Sequence, residues 1–180
     1  MFKRVLIITA FASLSFASVK TRATSVDTRL LAQPAVSATH VAFVYAGDLW
    51  SAAISGADVR RLTTSQGEIS GPAFSPDGRS VAFSAEYEGN TDVYVVPVEG
   101  GAPRRLTWHP GADLVQGFTP DGRSVVFTSP RYVFTNRFTQ LFTVPLDGGM
   151  ESPLPIPNAA RGAYSALTAP PAQKNARSIP

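Results

Sequence analysis

The sequence predicts an all-β protein built from a repeated four-stranded unit, and three observations support this prediction. Short runs of β-branched and aromatic residues alternate with turns along the 180 residues, which include 14 Gly and 15 Pro. No long stretch has the apolar periodicity of an amphipathic helix. The sequence also repeats itself at an interval of 44 residues, from Pro76 to Pro120. Such an interval is typical of stacked β-sheet units.

The first 23 residues have the pattern of a secretory signal peptide. Lys3 and Arg4 precede an apolar stretch from Val5 to Ala17, which is shorter than the ~20 residues that a membrane-spanning helix needs. Small residues allow cleavage after Ala17 or after Ala23. We therefore predict that residues 1–23 direct export and that the mature protein lies in the periplasm.

The charge distribution argues against a nucleic-acid partner. The formal net charge is +3, but four of the basic residues lie in the signal-like segment. The rest of the chain has 12 basic and 13 acidic residues, too balanced to form the basic surface that a phosphate backbone requires. The chain has no cysteine, so disulfides and thiolate metal sites are excluded.

Three imperfect repeats are predicted at residues 34–63, 71–107 and 115–155. Each contains short strands joined by tight turns. In the second repeat Pro76 fixes its own φ angle, Asp77 accepts local backbone hydrogen bonds and Gly78 takes a left-handed conformation. The third repeat uses the same turn at Pro120–Gly122, whereas the first has Ser37–His40 at this place and is predicted to turn differently.

The third strand of the second repeat is apolar on both faces. Val93 and Val95 lie on one face, and Tyr94 and Val96 lie on the other. A sheet with two apolar faces is covered on both sides. Four-stranded sheets of this kind, repeated every 40 to 45 residues, are typical of the blades of a β-propeller.

Pairs of arginines recur in register in the first two repeats, as Arg60-Arg61 and Arg104-Arg105. They could bind substrate carboxylates. Because they recur at the same place in the repeat, we instead predict that they contact a neighbouring blade or cap an outer edge.

The motif Phe74–Ser84 resembles the blade repeat of TolB and of the propellers of several secreted peptidases. Three further segments resemble the first propeller of tricorn-type proteases: Glu86–Tyr94, Arg105–Gly111 and Leu141–Gly149. The resemblance covers about residues 40–165. It implies a TolB-like six-bladed propeller, followed in the family by a seven-bladed propeller and a separate region with serine protease chemistry. We expect a partial β-propeller of about three four-stranded antiparallel blades.

A fourth repeat begins at Gly162–Ser165, but the residues that follow supply neither an Asp-Gly turn nor an alternating strand. We therefore interpret residues 24–158 as propeller repeats and residues 159–180 as an aborted fourth blade with a disordered tail. This loss of pattern indicates a truncated or frameshifted reading of a longer protein.

No catalytic, metal-binding or cofactor-binding residue is predicted. The serines after the Asp-Gly turns have no evident base or oxyanion donors, and His109 has no partner at an identifiable spacing. The acidic residues Glu86, Glu88 and Asp92 lack the spacing of a calcium loop and are interpreted as a solvated hairpin loop.

An insertion in the third repeat mixes aromatic and cationic side chains and is the predicted place for partner contact. The candidate residues are Arg131, Tyr132, Phe134 and Arg137. The alternative is a long hairpin folded back on its own blade.

The sequence thus predicts a fragment of an exported tricorn-like protease propeller. It would admit or hold peptides for a distant serine protease site and would not be catalytic by itself. Two alternatives are a non-enzymatic, TolB-like, protein-binding propeller and the propeller domain of a prolyl-oligopeptidase-type serine peptidase. With three blades, open apolar faces are also expected to cause self-association.

Overall fold

The computed structural model describes residues 31–64, 67–131, 139–156 and 159–164. These residues form twelve strands in three four-stranded antiparallel sheets and no helix. None of them belongs to a helix of the length and apolarity needed to span a membrane. The predicted all-β class and the partial propeller of three blades are confirmed. The predicted signal segment and most of the predicted tail lie outside the described residues.

Each sheet is formed by strands that follow one another in the chain, and we number the sheets as blades 1 to 3. Blade 1 consists of β1 (Leu31–Val36), β2 (His40–Tyr45), β3 (Asp48–Ala53) and β4 (Arg60–Arg61). Blade 2 consists of β5 (Ile69–Phe74), β6 (Ser80–Tyr87), β7 (Asn90–Pro97) and β8 (Arg104–Arg105). Blade 3 consists of β9 (Leu114–Phe118), β10 (Ser124–Ser129), β11 (Gln140–Pro145) and β12 (Ser152–Pro153).

The Asp-Gly turns have the geometry that their residues predict. Gly78 and Gly122 have φ angles of 70° and 68°, in the left-handed region that glycine adopts without strain. In blade 2 the Asp77 carboxylate accepts a hydrogen bond from the backbone N–H of Arg79 at 3.1 Å. Blade 1 makes a shorter turn, closed by the N–H of Ser37 donating to the carbonyl of His40 at 2.8 Å. The different turn predicted for the first repeat is therefore present.

The apolar core consists of two clusters, each between a pair of neighbouring blades. Val93 and Val95 of blade 2 face blade 3, whereas Tyr94 and Val96 face blade 1. The sheet of blade 2 is therefore covered on both sides, as predicted. Residues that pair directly across two antiparallel strands share a face. By this rule, blades 2 and 3 have an aromatic face toward the preceding blade, and blades 1 and 2 have an aliphatic face toward the following one.

The aromatic face is built from a cross-strand pair at the same position in each blade. Blade 2 has Phe83 opposite Tyr94, with ring centroids 5.8 Å apart, and blade 3 has Phe127 opposite Phe142, 5.6 Å apart. The corresponding pair in blade 1 is Phe43 opposite Trp50. In blades 2 and 3, these rings are buried against the preceding blade, and their burial and stacking stabilise the contact between the blades.

The first arginine of each pair makes the contact with a neighbouring blade that the recurrence predicts, whereas the second does not. Arg60 of blade 1 donates to the backbone carbonyl of Glu99 in blade 2 at 2.8 Å. Arg104 of blade 2 likewise donates to the carbonyl of Leu146 in blade 3. The first arginine of each pair therefore connects consecutive blades at their outer edges.

The second arginine binds inside its own blade. Arg105 forms an ion pair with Asp92 at 2.5 Å, and the hydroxyl of Thr107 donates to the same carboxylate at 3.3 Å. This cluster corrects one detail of the predicted solvated hairpin loop. Asp92 is fully buried, whereas Glu86 and Glu88 do not belong to the buried core. We call Asp92, Arg105 and Thr107 the Asp-Thr-Arg cluster of blade 2.

Candidate binding cleft along the innermost strands

The first strand of each blade contacts the first strand of the next, and an irregularity interrupts each of these strands. Gln33 in β1 and Gly71 in β5 have φ angles of 51° and 60° at this point. The N–H of Gly71 donates to the side-chain oxygen of Gln33 at 2.6 Å. A methyl group added to Gly71 would lie 3.1 Å from the carbonyl oxygen of Val115 in β9, so the backbones approach closely here. Glycine satisfies both the positive φ and the close approach.

A cleft of about 530 Å³ opens beside these innermost strands. β5 contributes Ser70–Ala73, and β9 contributes Leu114–Gln116. Ser84, Ala160 and Arg161 complete the lining, and the Arg161 side chain is exposed. The cleft therefore combines strand backbone, aliphatic surface and one cation.

Gln116 is a polar side chain in the lining of the cleft whose amide could bind a ligand. Its amide nitrogen donates to the carbonyl of Leu114 at 3.3 Å, and its amide oxygen accepts from the N–H of Gly162 at 3.4 Å. The second bond is long, so a ligand amide could replace it at little cost. An amide side chain, strand backbone and a guanidinium together suit an extended peptide, whose own groups are amides and a terminal carboxylate.

Sequence reasoning did not find this cleft. Gln116 and Arg161 lie in segments without a chemical motif, and they meet only because β9 and residues 159–164 lie side by side. The weak fourth repeat could have indicated that this segment lies beside β9, because Ala163-Tyr164-Ser165 follows the pattern of Ala73-Phe74-Ser75.

The predicted partner-contact segment is described only at its first residue. The guanidinium of Arg131 lies inside blade 3, with its side chain 7% exposed. It forms ion pairs with Asp113 at 2.7 Å and Glu151 at 3.2 Å, and it packs 4.9 Å from the ring centre of Phe142. Arg131 thus binds within its own chain. Tyr132, Phe134 and Arg137 lie outside the described residues, so partner contact there stays a prediction.

Asp113 is a buried carboxyl group that contacts Arg131. It is fully buried, and one of its oxygens has no hydrogen-bond partner. Burial raises its pKa, while hydrogen bonding by Ser129 and the charge of Arg131 act in the opposite direction. No group of three or more histidine or acidic side chains in the described part of the chain is arranged to hold a metal ion.

Three radial four-stranded sheets around a shared set of innermost strands define this chain as a β-propeller domain. The model of the tricorn protease N-terminal β-propeller domain matches residues 28–176. The chain belongs to this family, which confirms the resemblance found in the sequence. No curated protein matches the chain.

Solved structures support the same assignment. The tricorn protease aligns with a TM-score of 0.62 and 27% identity, over 69% of this chain and 13% of that protein. TolB from Acinetobacter baumannii aligns with a TM-score of 0.57 and 26% identity, over 69% of this chain and 32% of the TolB chain. A putative TolB from Agrobacterium tumefaciens aligns with a TM-score of 0.58 and 24% identity, over 69% of this chain and 46% of that chain. The chain therefore spans less than half the length of these relatives.

Proposed function

We propose that this propeller holds extended peptides for a serine protease site located elsewhere in a longer tricorn-type protein. The chain itself would supply binding and no catalysis. The observation that supports the proposal is the cleft beside β5 and β9, which offers strand backbone, Gln116 and the exposed cation Arg161. A peptide lying there would pair its amides with the backbone and Gln116. Its terminal carboxylate would bind Arg161.

A peptide-binding measurement tests this proposal. Fluorescein-labelled octapeptides are titrated with the full chain, and fluorescence anisotropy gives the Kd. Peptides with a free C-terminal carboxylate should bind about tenfold more tightly than their amidated forms, since one charge-assisted hydrogen bond contributes ~1.5–3 kcal/mol. Arg161→Ala should remove this difference.

Arg123→Ala is the matched control, because Arg123 is an exposed arginine in the turn between β9 and β10 and does not line the cleft. Its peptide affinities should equal those of the unchanged protein. Equal binding of free and amidated peptides by the unchanged protein would contradict the role of Arg161. Absence of any peptide binding would overturn the proposal.

A second candidate function is that of a non-enzymatic, TolB-like propeller that binds a folded protein. The similarity to two TolB structures favours it, one of them at 26% identity. The two functions differ in their ligand. A TolB-like function predicts a partner that binds to the chain even when saturating octapeptide fills the cleft, whereas a peptide-holding function predicts competition.

Export to the periplasm is part of the proposal and rests on the sequence of residues 1–23. Expression of the full chain in a Gram-negative host, followed by osmotic shock and N-terminal sequencing, tests it. A product that begins after residue 17 or 23 in the periplasmic fraction would support export. A full-length product retained in the cytoplasm would contradict it.

A further inference from the structure

An aspartate followed by glycine occurs three times in the chain, at Asp77, Asp121 and Asp147. Such a pair is prone to a spontaneous rearrangement of the backbone, because glycine has no side chain to hinder attack of its nitrogen on the preceding carboxyl group. All three aspartates are exposed to solvent. Exposure therefore does not distinguish them, and a difference in reactivity depends on how the fold holds each carboxylate and each glycine nitrogen.

The rearrangement needs water as its only co-reactant. The backbone nitrogen of the glycine attacks Cγ of the aspartate and forms a bond to it. The nitrogen loses its proton and the carboxyl group loses a hydroxyl, so one water molecule leaves and a five-membered succinimide remains. Water then opens the ring. Opening at Cγ restores aspartate, whereas opening at the backbone carbonyl gives isoaspartate, in which the chain runs through Cβ and Cγ.

The turns that precede β6 and β10 restrain their carboxylates. Asp77 accepts hydrogen bonds from the hydroxyl of Ser75 at 2.6 Å and from the N–H of Arg79 at 3.1 Å. Asp121 is held in the same way by the hydroxyl of Thr119, at 2.6 Å. These bonds oppose the rotation that brings Cγ onto the next nitrogen. They also lower the pKa of both carboxyl groups and keep them ionised, and an ionised carboxylate is a poor target for a nucleophile.

The turn between β11 and β12 lacks these restraints. The carboxylate of Asp147 forms no hydrogen bond or ion pair with any residue that the structure describes. The N–H of Gly148 donates to the carbonyl of Pro145 at 3.2 Å, the long limit for such a bond, whereas the corresponding bonds of Gly78 and Gly122 measure 2.8 and 2.9 Å. A methyl group added to Gly148 would have no atom within 4 Å. Both reacting groups are therefore free to move and open to water.

We propose that Asp147 is a site of spontaneous isoaspartate formation in the folded protein, whereas Asp77 and Asp121 are protected. The site directly follows a contact between blades, because the carbonyl of Leu146 accepts a hydrogen bond from Arg104 of blade 2. Isoaspartate lengthens the backbone immediately after this contact. The modification thus alters the turn at the outer edge of blade 3.

Isotope labelling of the full chain tests the proposal. The protein is incubated at neutral pH in water enriched in oxygen-18, so each succinimide that opens adds one labelled oxygen. Digestion with trypsin in ordinary water places the three aspartates in separate peptides, residues 62–79, 106–123 and 138–161. Mass spectrometry gives the incorporation, and fragmentation locates the label and identifies isoaspartate. We expect Asp147 to be labelled at least about tenfold faster than the other two, which charge-assisted hydrogen bonds hold in place.

Denaturation and variants identify the cause of this difference. In urea the three sites should be labelled at similar rates, because the protecting bonds are lost. Thr119→Val removes the hydroxyl that binds Asp121 and should raise the labelling of Asp121 in the folded chain severalfold. Asp77, whose bonds are untouched, reports in the same sample whether the variant stays folded. Thr143→Val is the matched control, because Thr143 lies in the same blade and donates to the carbonyl of Ser152.

Equal labelling of the three aspartates in the folded chain would overturn the proposal. So would an unlabelled Asp147 in a folded chain whose three sites are labelled in urea. Unchanged labelling of Asp121 in Thr119→Val would contradict protection by hydrogen bonds. Peptide binding in the cleft plays no part in this measurement, so its outcome is independent of the proposed function.

Discussion

Asp113 and Arg131 form a buried ion pair at the junction of blades 2 and 3, with 2.7 Å between Oδ2 and Nη2. The backbone of Asp113 is held by blade 2, because its N–H donates to Thr91 and its carbonyl accepts from the hydroxyl of Ser84. Its side chain is held by Arg131 at the end of β10 in blade 3. Asp113 thus joins the two blades, because its backbone is hydrogen-bonded to blade 2 and its carboxylate is paired with an arginine of blade 3.

Removing this guanidinium should destabilise the protein strongly. Arg131→Leu leaves the fully buried carboxylate of Asp113 without its cation. Breaking a buried pair in this way costs ~3–5 kcal/mol. The free energy of unfolding from urea denaturation should fall by that amount.

Two further variants identify the cause. Arg131→Leu combined with Asp113→Leu should recover most of the loss, because no uncompensated charge remains. Arg123→Leu, at an exposed turn arginine, should stay within about 0.5 kcal/mol of the unchanged protein. If the double variant were no more stable than Arg131→Leu, the loss would come from packing over Phe127 and Phe142 and not from charge.

The threonine of the Asp-Thr-Arg cluster should stabilise the fold, because its hydroxyl forms hydrogen bonds with two buried polar groups. In blade 2 the Thr107 hydroxyl accepts from the N–H of Val93 at 3.0 Å and donates to Asp92. Thr107→Val leaves both groups buried without this partner, at a cost of ~1–3 kcal/mol. Urea denaturation measures the loss.

Blade 1 and blade 3 provide internal comparisons. Thr63 makes the same contacts with Leu49 and Asp48, so Thr63→Val should have an effect of similar size. In blade 3, Gln140 has the position of the aspartate and Pro155 has the position of the threonine, so the cluster is not repeated there. Thr143 is a half-buried threonine elsewhere in that blade, and Thr143→Val is the control. An effect of Thr143→Val as large as that of Thr107→Val would contradict the special role of the cluster.

The repeat predicted the architecture because every blade encodes its own turns and faces locally. The alternation around Val93 and Tyr94 determines which neighbour each residue contacts, and the Asp-Gly turn determines where the chain reverses. Contacts between side chains of different blades cannot be predicted from the local sequence in this way. Asp113 follows an ordinary loop sequence, and its burial depends on Arg131 eighteen residues later. Gln116 and Arg161 meet for a similar reason, through packing of segments distant in sequence.

The Asp-Gly turns should contribute to stability above acidic pH. The hydroxyl of Ser75 donates to Asp77 at 2.6 Å, and this bond, with that from the N–H of Arg79, lowers the pKa of Asp77 below its usual 3.8. A group whose pKa is lower in the folded state stabilises above its unfolded pKa and loses that contribution as pH falls through the folded value. Stability measured by urea denaturation should therefore decline as pH drops below about 3.8.

Asp77→Asn should make this acid-dependent decline shallower, because the substituted side chain does not titrate. Asp121 has the same arrangement with Thr119 in blade 3, so Asp121→Asn should act in the same direction. A carboxyl carbon titration by NMR checks the sign directly. A pKa for Asp77 above 3.8 in the folded protein would refute the explanation.

Self-association should depend on the aromatic face of blade 1, which has no preceding blade among the described residues. Val36 pairs with Val41 as Phe118 pairs with Val125, so the two residues have the same position in their blades. Phe118 is 8% exposed because blade 2 covers it, whereas Val36 is 68% exposed. This position of the blade is thus buried in blade 3, which has a preceding blade, and exposed in blade 1, for which no preceding blade is described. Val36→Arg places a charge on this face and should shift the sedimentation velocity distribution of the chain toward the monomer.

Val59→Arg is the matched control for Val36→Arg. Val59 is the same residue type in the same blade and is 59% exposed, but it precedes β4 at the outer edge. Its substitution adds an equal charge and should leave the distribution unchanged, because the aromatic face is untouched. A similar shift for both variants would mean that net charge, and not this face, controls association. A concentration-independent monomer for the unchanged chain would show that the open face does not drive association.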